Sequence, residues 1–257
     1  MITSPSNPRI RLLRSLAERK HRRALGLCLV EGIRLLEEAL GSRLRIEAIL
    51  YAPERLSSTA AGRALRRRLE LLAAAEQIDE RLLPVVSETV TSQGVVAAVE
   101  APTQPKLPAE GHLLVLDGIA DPGNVGTMLR TARAAGAAAV VATRTTTDLW
   151  SPKAVRAGMG AQFHLPLAVD ADWAELPALV GDRRLLLATA HKGTPYWALD
   201  WSAPSAIVIG SEAHGPSEAA SHLASQRVTI PMAEGAESLN AAAAAAILLF
   251  AARHPAG

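Results

Sequence analysis

Three short stretches of this chain carry side chains able to do chemistry. The first is Asp121-Pro122-Gly123-Asn124-Val125-Gly126, followed at a distance of six residues from Asn124 by Arg130. The second is Gly210-Ser211-Glu212-Ala213-His214-Gly215. The third is Ile230-Pro231-Met232, then Ser238-Leu239-Asn240 ahead of six alanines, Ala241 to Ala246. Asp-Pro-Gly is turn chemistry, so Asn124 falls at or near a helix N-terminus, where N–H donors and the positive dipole end are exposed. Met128 and Leu129 are apolar, which makes Arg130 the polar event on a mostly buried helix; its fork suits phosphate. Gly210 lets a backbone approach a ligand closely, and Gly215 lets the chain turn. Ser238 suits an N-cap, and the alanines after it form a smooth helix that presses close to a neighbour. Taken singly, Glu212 reads as a solvated loop carboxylate and His214 as a surface or capping histidine. A dinucleotide loop does not fit: Gly123-Asn-Val-Gly126 lacks the G-x-G-x-x-G spacing, and there is no P-loop lysine.

The elements that must position these residues alternate strand and helix from Leu113 onward, as in a parallel sheet. Strands are expected at 113–116, 139–142, 184–190, 206–209 and 228–230, and helices at 125–135, 152–157, 173–180, 216–223 and 239–252. Open α/β sheets bind ligands beyond the carboxyl ends of their strands, and all three stretches follow a strand or its turn. The first hundred residues read as a small α/β unit. An amphipathic helix opened by Asn7-Pro8 carries an apolar stripe of Ile10, Leu12, Leu13 and Leu16. Strands are expected at 27–30, 46–51, 82–86 and 95–99, and helices at 33–40 and 60–75. Three prolines between Ala101 and Pro108 mark a linker. The expected organisation is therefore residues 1–100, a linker over 101–110, and residues 111–257.

Composition bounds the function. The chain has 257 residues, 49% of them hydrophobic and 20% charged, which suits a folded chain. One cysteine, Cys28, excludes an internal disulfide and a cysteine-cluster metal site, and the seven histidines show no metal-ligand spacing. No metal and no membrane span are expected. The N-terminus has no apolar signal-peptide core, so a cytoplasmic location is the expectation. Residues 1–100 carry 16 Lys+Arg against 12 Asp+Glu, a net of +4, whereas residues 101–257 carry 11 against 13, a net of −2. The densest basic patch is Arg9, Arg11, Arg19, Lys20, Arg22 and Arg23, an electrostatic footprint for an RNA backbone.

Taken together and in order, Asn124-x-Gly126-x3-Arg130, Gly210-Ser-Glu212-x2-Gly215 and Ile230-Pro-Met with Ser238-Leu-Asn240 closely resemble the SpoU/TrmH branch of the SPOUT RNA ribose 2′-O-methyltransferases. Ser151 to Ala161 looks like that family's intermediate loop. Residues 1–100 look like the small RNA-binding domain, related to ribosomal proteins, that many members carry. The resemblance implies an α/β parallel-sheet domain with a deep trefoil knot, a topology that general folding rules argue against. It implies S-adenosylmethionine as cofactor, contacted by Gly210, Ile230 and Leu239 with Met232 nearby and Thr189-Ala190 on the adenosine side. It implies catalytic roles for Arg130, Asn124, Glu212, Ser238 and Asn240, an rRNA or tRNA substrate, and a homodimer formed through the knotted domain. Members often follow Ser-Leu-Asn with Val and Ser; here Ala241 and Ala242 follow, a change that bears on helix packing. The competing reading is a non-catalytic RNA- or ribosome-binding protein, against which the retained polar set counts.

Overall fold

The computed structural model describes residues 1–89, 91–103 and 106–253. Its contacts divide the chain into two compact units: Met1–Pro102 with Trp150–Phe163, and Thr103–Leu149 with His164–Gly257. Gln104 and Pro105 of the expected linker lie outside the described residues.

The first unit is built on a four-stranded sheet of β1 (Leu27–Glu31), β2 (Ile46–Tyr51), β3 (Ala75–Gln77) and β4 (Val95–Glu100). The order is β1-β4-β2-β3, antiparallel except for the β2–β3 pair. Asn7 caps the first helix, Pro8–Ser15, by accepting the Arg9 N–H at 2.9 Å. That helix buries Ile10 and Leu13 into a core shared with Leu29, Leu50, Ile78 and Val96. Each such fully buried aliphatic side chain contributes roughly 1.5–3 kcal/mol. The helix Pro152–Gly158, capped by Ser151, packs on β1. There Arg156 stands 3.8 Å from Glu88, whose carboxyl is pushed up chiefly by burial.

Three expectations fail here for identifiable reasons. Residues 82–86 are not a strand: Glu80–Leu82 form a 3-10 turn capped by Asp79, and Leu83–Val86 a short helix with Pro84 in its first turn. The helix from Ala60 stops at Leu69, and Ala75–Gln77 pairs with β2 instead, so sheet pairing overrides the helical propensity of the alanine run. Arg22 is not a surface cation. It is 5% exposed, and its Nη1 donates to the Leu16 and Ala17 carbonyls at 2.7 and 2.6 Å, satisfying the orphan acceptors that follow the first helix. Arg22→Ala is expected to destabilise the protein by about 3 kcal/mol, because two charge-assisted bonds go and buried carbonyls are left bare; a urea titration checks this.

The second unit is a seven-stranded sheet of β5 (Leu113–Asp117), β6 (Ala139–Thr143), β7 (Leu167–Ala171), β8 (Arg184–Thr189), β9 (Thr194–Pro195), β10 (Ser205–Gly210) and β11 (Gln226–Thr229). All pairs are parallel, in the order β7-β6-β5-β10-β8-β11-β9. β5, β6 and most of β10 are buried throughout, as strands covered on both faces must be. The chain leaves β5 toward β6 and β7, then returns to place β10 on the other side of β5. That reversal makes a crevice at the strands' carboxyl ends. Strands β7 and β9 were not expected. In β7 the apolar run is broken by Asp170, whose φ of 57° accompanies a register irregularity against β6, and β9 is two residues long.

Candidate active site

Each of the three stretches is fixed locally before it meets the others. Asp121 caps the helix Pro122–Ala135, its Oδ2 accepting the Asn124 N–H at 3.1 Å, with Pro122 in the first turn. Asn124 is thereby held at the helix start, as expected. The loop after β10 folds back on itself: Ser211 bridges Gly215, which takes φ 69°. A Cβ on Gly210 would stand 2.4 Å from Pro216 N and 2.5 Å from its Cα. The close approach that requires glycine there is thus the chain's own backbone, where a ligand was expected.

The terminal helix is Ala241–Arg253, and its cap is Asn240, not Ser238. Asn240 Oδ1 accepts the N–H groups of Ala242 and Ala243 at 2.9 and 3.2 Å. Ala241, Ala242 and Ala245 are buried, and the helix packs along Pro122–Ala135, which the small alanines permit. Because Oδ1 is committed to the helix, Asn240 presents its NH2 outward, donating to Asn124 Oδ1 at 3.2 Å. Asn124 in turn donates its own NH2 to Glu212 Oε1 at 2.5 Å. The helix N-terminus therefore dictates the direction of a relay through all three stretches, ending on a carboxylate that accepts.

Beside this relay lies a cavity of about 500 Å³ at the carboxyl ends of β8, β10 and β11, within the usual range for small-molecule sites. Its floor is apolar and buried, formed by Ile209, Val228 and Leu248. Of the expected cofactor contacts, Thr189, Ala190 and Gly210 line it from the strand ends. Ile230, Met232 and Leu239 line it from the loop after β11. Glu212, Ser238 and Asn240, all exposed, form its rim. An apolar slot bounded by irregular backbone, with a carboxylate and hydroxyls at the mouth, fits a nucleoside-bearing ligand. Among the described residues no group of three or more His, Cys, Asp or Glu is placed to hold a metal.

Arg130 does not line this cavity. It lies on the exposed side of its helix, while Val125, Met128, Leu129 and Ala132 face inward. His214 is exposed and also outside the lining. Of the basic patch, Arg11, Arg19, Lys20 and Arg23 are exposed. Arg9 is half-buried and engaged with Glu76 at 3.4 Å and the Ala74 carbonyl at 3.3 Å. Sequence reasoning missed Asp117, 3% exposed at the end of β5. Its one signal is a charged residue closing an apolar strand just before Gly118.

The comparisons with known proteins agree with this geometry. Residues 111–250 match the SpoU rRNA Methylase family, and residues 7–97 match the MRM3-like substrate binding domain. The chain is 33% identical over 255 residues to the 23S rRNA (guanosine(2553)-2'-O)-methyltransferase RlmP of Bacillus subtilis, covering 97% of each chain. It is 34% identical over 222 residues to the mouse mitochondrial rRNA methyltransferase 3, covering 64% of this chain and 53% of that one. Among solved structures, the SpoU methyltransferase AviRb of Streptomyces viridochromogenes, in complex with AdoMet, superposes with a TM-score of 0.84 at 29% identity over 96% of this chain and 97% of that one. The mitochondrial relatives, human and mouse among them, overturn the cytoplasmic expectation: a missing secretory core says nothing of other compartments. The capped relay, the cavity beside it and the two matched regions together place the chain in the SpoU rRNA methylase family.

Proposed function

We propose that the protein transfers a methyl group from S-adenosylmethionine to a ribose 2′-hydroxyl of ribosomal RNA, with 23S rRNA as its substrate. The observation that carries this reading is the Asn240–Asn124–Glu212 relay at the rim of the cavity. It gathers polar groups from three distant stretches where an incoming ribose would meet the cofactor. The cofactor supplies an electrophilic methyl carried on a sulfonium. The chain's residues align the hydroxyl with it and ease loss of the hydroxyl proton. Thr189, Ala190, Gly210, Ile230, Met232 and Leu239 hold the cofactor, and Ser238 offers the ribose a hydroxyl partner. A guanidinium donates hydrogen bonds and offers no acceptor, so Arg130 sets its charge against the target's phosphate or the oxygen as negative charge develops. Proton transfer falls to another group or to water.

Arg130 reaches its place from a second copy. Its exposure away from the cavity supports this, as does a stripe along the terminal helix, Ala243, Ala246, Ile247 and Phe250, left exposed or half-exposed at helical spacing. The chain thus works as a homodimer through its SPOUT domain, the domain to which the resemblance assigns the trefoil knot. Residues 1–100 bind the RNA through the exposed cations Arg11, Arg19, Lys20 and Arg23 with Arg9, and 101–110 link them to the methyltransferase domain.

The test is a map of ribose methylation across total RNA with and without the gene, followed by transfer of labelled methyl to the unmodified RNA in vitro. One 23S rRNA position losing its methyl group, and regaining it from the purified protein, is the expected result. A map unchanged at every rRNA position, with no transfer in vitro, overturns the reading.

A further inference from the structure

The buried carboxylate at the end of β5 has no place in the chemistry above, yet it holds one wall of the cavity. Asp117 Oδ2 accepts the Ser217 N–H at 2.7 Å, and Oδ1 accepts the Trp173 Nε1–H at 3.3 Å. Among the described residues no lysine or arginine pairs with it. Asp117 lies in register opposite Gly210, where the loop from β10 begins, and its hold on Ser217 is where that loop ends. Glu212, Gly215 and Pro216, which line the cavity, lie between those two points. Pro216 has no N–H, so Ser217 carries the first backbone donor after the loop. Ser217 also starts the helix Glu218–Leu223, its Oγ accepting the Ala220 N–H at 3.1 Å.

We propose that Asp117 is a positioning residue that clasps the loop Ser211–Pro216 closed and so sets affinity for S-adenosylmethionine. The proposal rests on the reading that this cavity takes that cofactor. A carboxylate is the group required, because both neighbours are donors and only an acceptor on each oxygen satisfies them. Asparagine keeps the shape but turns an NH2 toward one donor. A released Ser217 frees Pro216 from the backbone of Gly210 and opens the wall that carries Glu212.

The test is cofactor titration by calorimetry alongside steady-state transfer on the full-length protein. Asp117→Asn is expected to raise the S-adenosylmethionine Kd and KM at least about tenfold, with kcat at saturating cofactor within about threefold of wild type, because bound cofactor draws the loop shut and returns Glu212 to its place. Trp173→Phe, which removes only the Oδ1 donor, is expected to leave Kd within about twofold. A folded Asp117→Asn protein with unchanged Kd overturns the proposal. So does a fall in kcat with unchanged KM, or an equal loss in both variants. Should Asp117→Asn not fold, amide hydrogen exchange on the wild-type protein without cofactor decides. The Ser217 amide exchanges far more slowly than those of Glu212 and Ala213 if the clasp exists, and at their rate if it does not. Failure of wild type to bind S-adenosylmethionine at all overturns the functional reading instead, and leaves the exchange result standing.

Discussion

Arg130→Ala is expected to lower methyl transfer by on the order of 100-fold or more while leaving the S-adenosylmethionine Kd within about twofold, since removing one preorganised charged donor from a reacting centre costs roughly that much. The two halves of this expectation come from one placement. Arg130 is exposed and outside its own chain's cavity lining, and its proposed charge faces the target's phosphate or reacting oxygen, so its loss leaves the chain's own cofactor contacts in place. Its helix is otherwise fixed by buried Val125, Met128 and Leu129, so the fold is untouched. The same placement gives a stronger test. If the guanidinium serves the partner's cavity, coexpressing Arg130→Ala with a variant that cannot bind cofactor creates mixed dimers with one complete site. Activity then returns to roughly a quarter of wild type, because half of randomly paired dimers are mixed and each holds one of two sites. No recovery places Arg130 at its own chain's site, and near-normal transfer by Arg130→Ala alone removes it from the chemistry.

Gly210→Ala is that second variant, and it should abolish measurable cofactor binding, a loss of about 100-fold or about 2.7 kcal/mol. The added methyl would fall 2.4 to 2.7 Å from Pro216 N and Cα and the Gly215 carbonyl carbon. These are backbone atoms that no rotamer change can withdraw. The loop must lift, carrying away Glu212 and the cavity wall, and overpacking of this kind costs about 1–3 kcal/mol of stability as well. Melting is expected to drop by several degrees, roughly 2–4 °C per kcal/mol for a chain of this size. Calorimetry and a melting curve check both numbers; binding within about threefold of wild type would show that the loop closes without contact at Gly210.

What was legible in the sequence was local. Asn7 opens its helix as the Asn7-Pro8 pair indicates, and the turn at Asp121 leads into the helix that carries Asn124. Apolar runs marked β5, β6, β8, β10 and β11, and Gly215 takes the left-handed turn that its loop required. The resemblance carried by three ordered motifs implied nine residues that line or rim one cavity, although they come from segments fifty residues apart in the chain.

Only the tertiary structure decided the rest, because each undecided case compared two locally acceptable options. Ser238 and Asn240 are both good caps, and Asn240 is selected by an amide partner, Asn124, 116 residues away. Arg22 sits in a basic run indistinguishable from its exposed neighbours, yet packing turned it inward onto two carbonyls. Ala75–Gln77 prefers helix by composition and strand by its pairing with β2. Asp117 looks like any strand-ending acid until Ser217 and Trp173, both far along the chain, are brought to it. Local propensities amount to tenths of a kcal/mol per residue, whereas an unsatisfied buried polar group costs about 1–3 kcal/mol. Long-range hydrogen bonding therefore decides at Arg22 and Asp117, whose polar groups are buried.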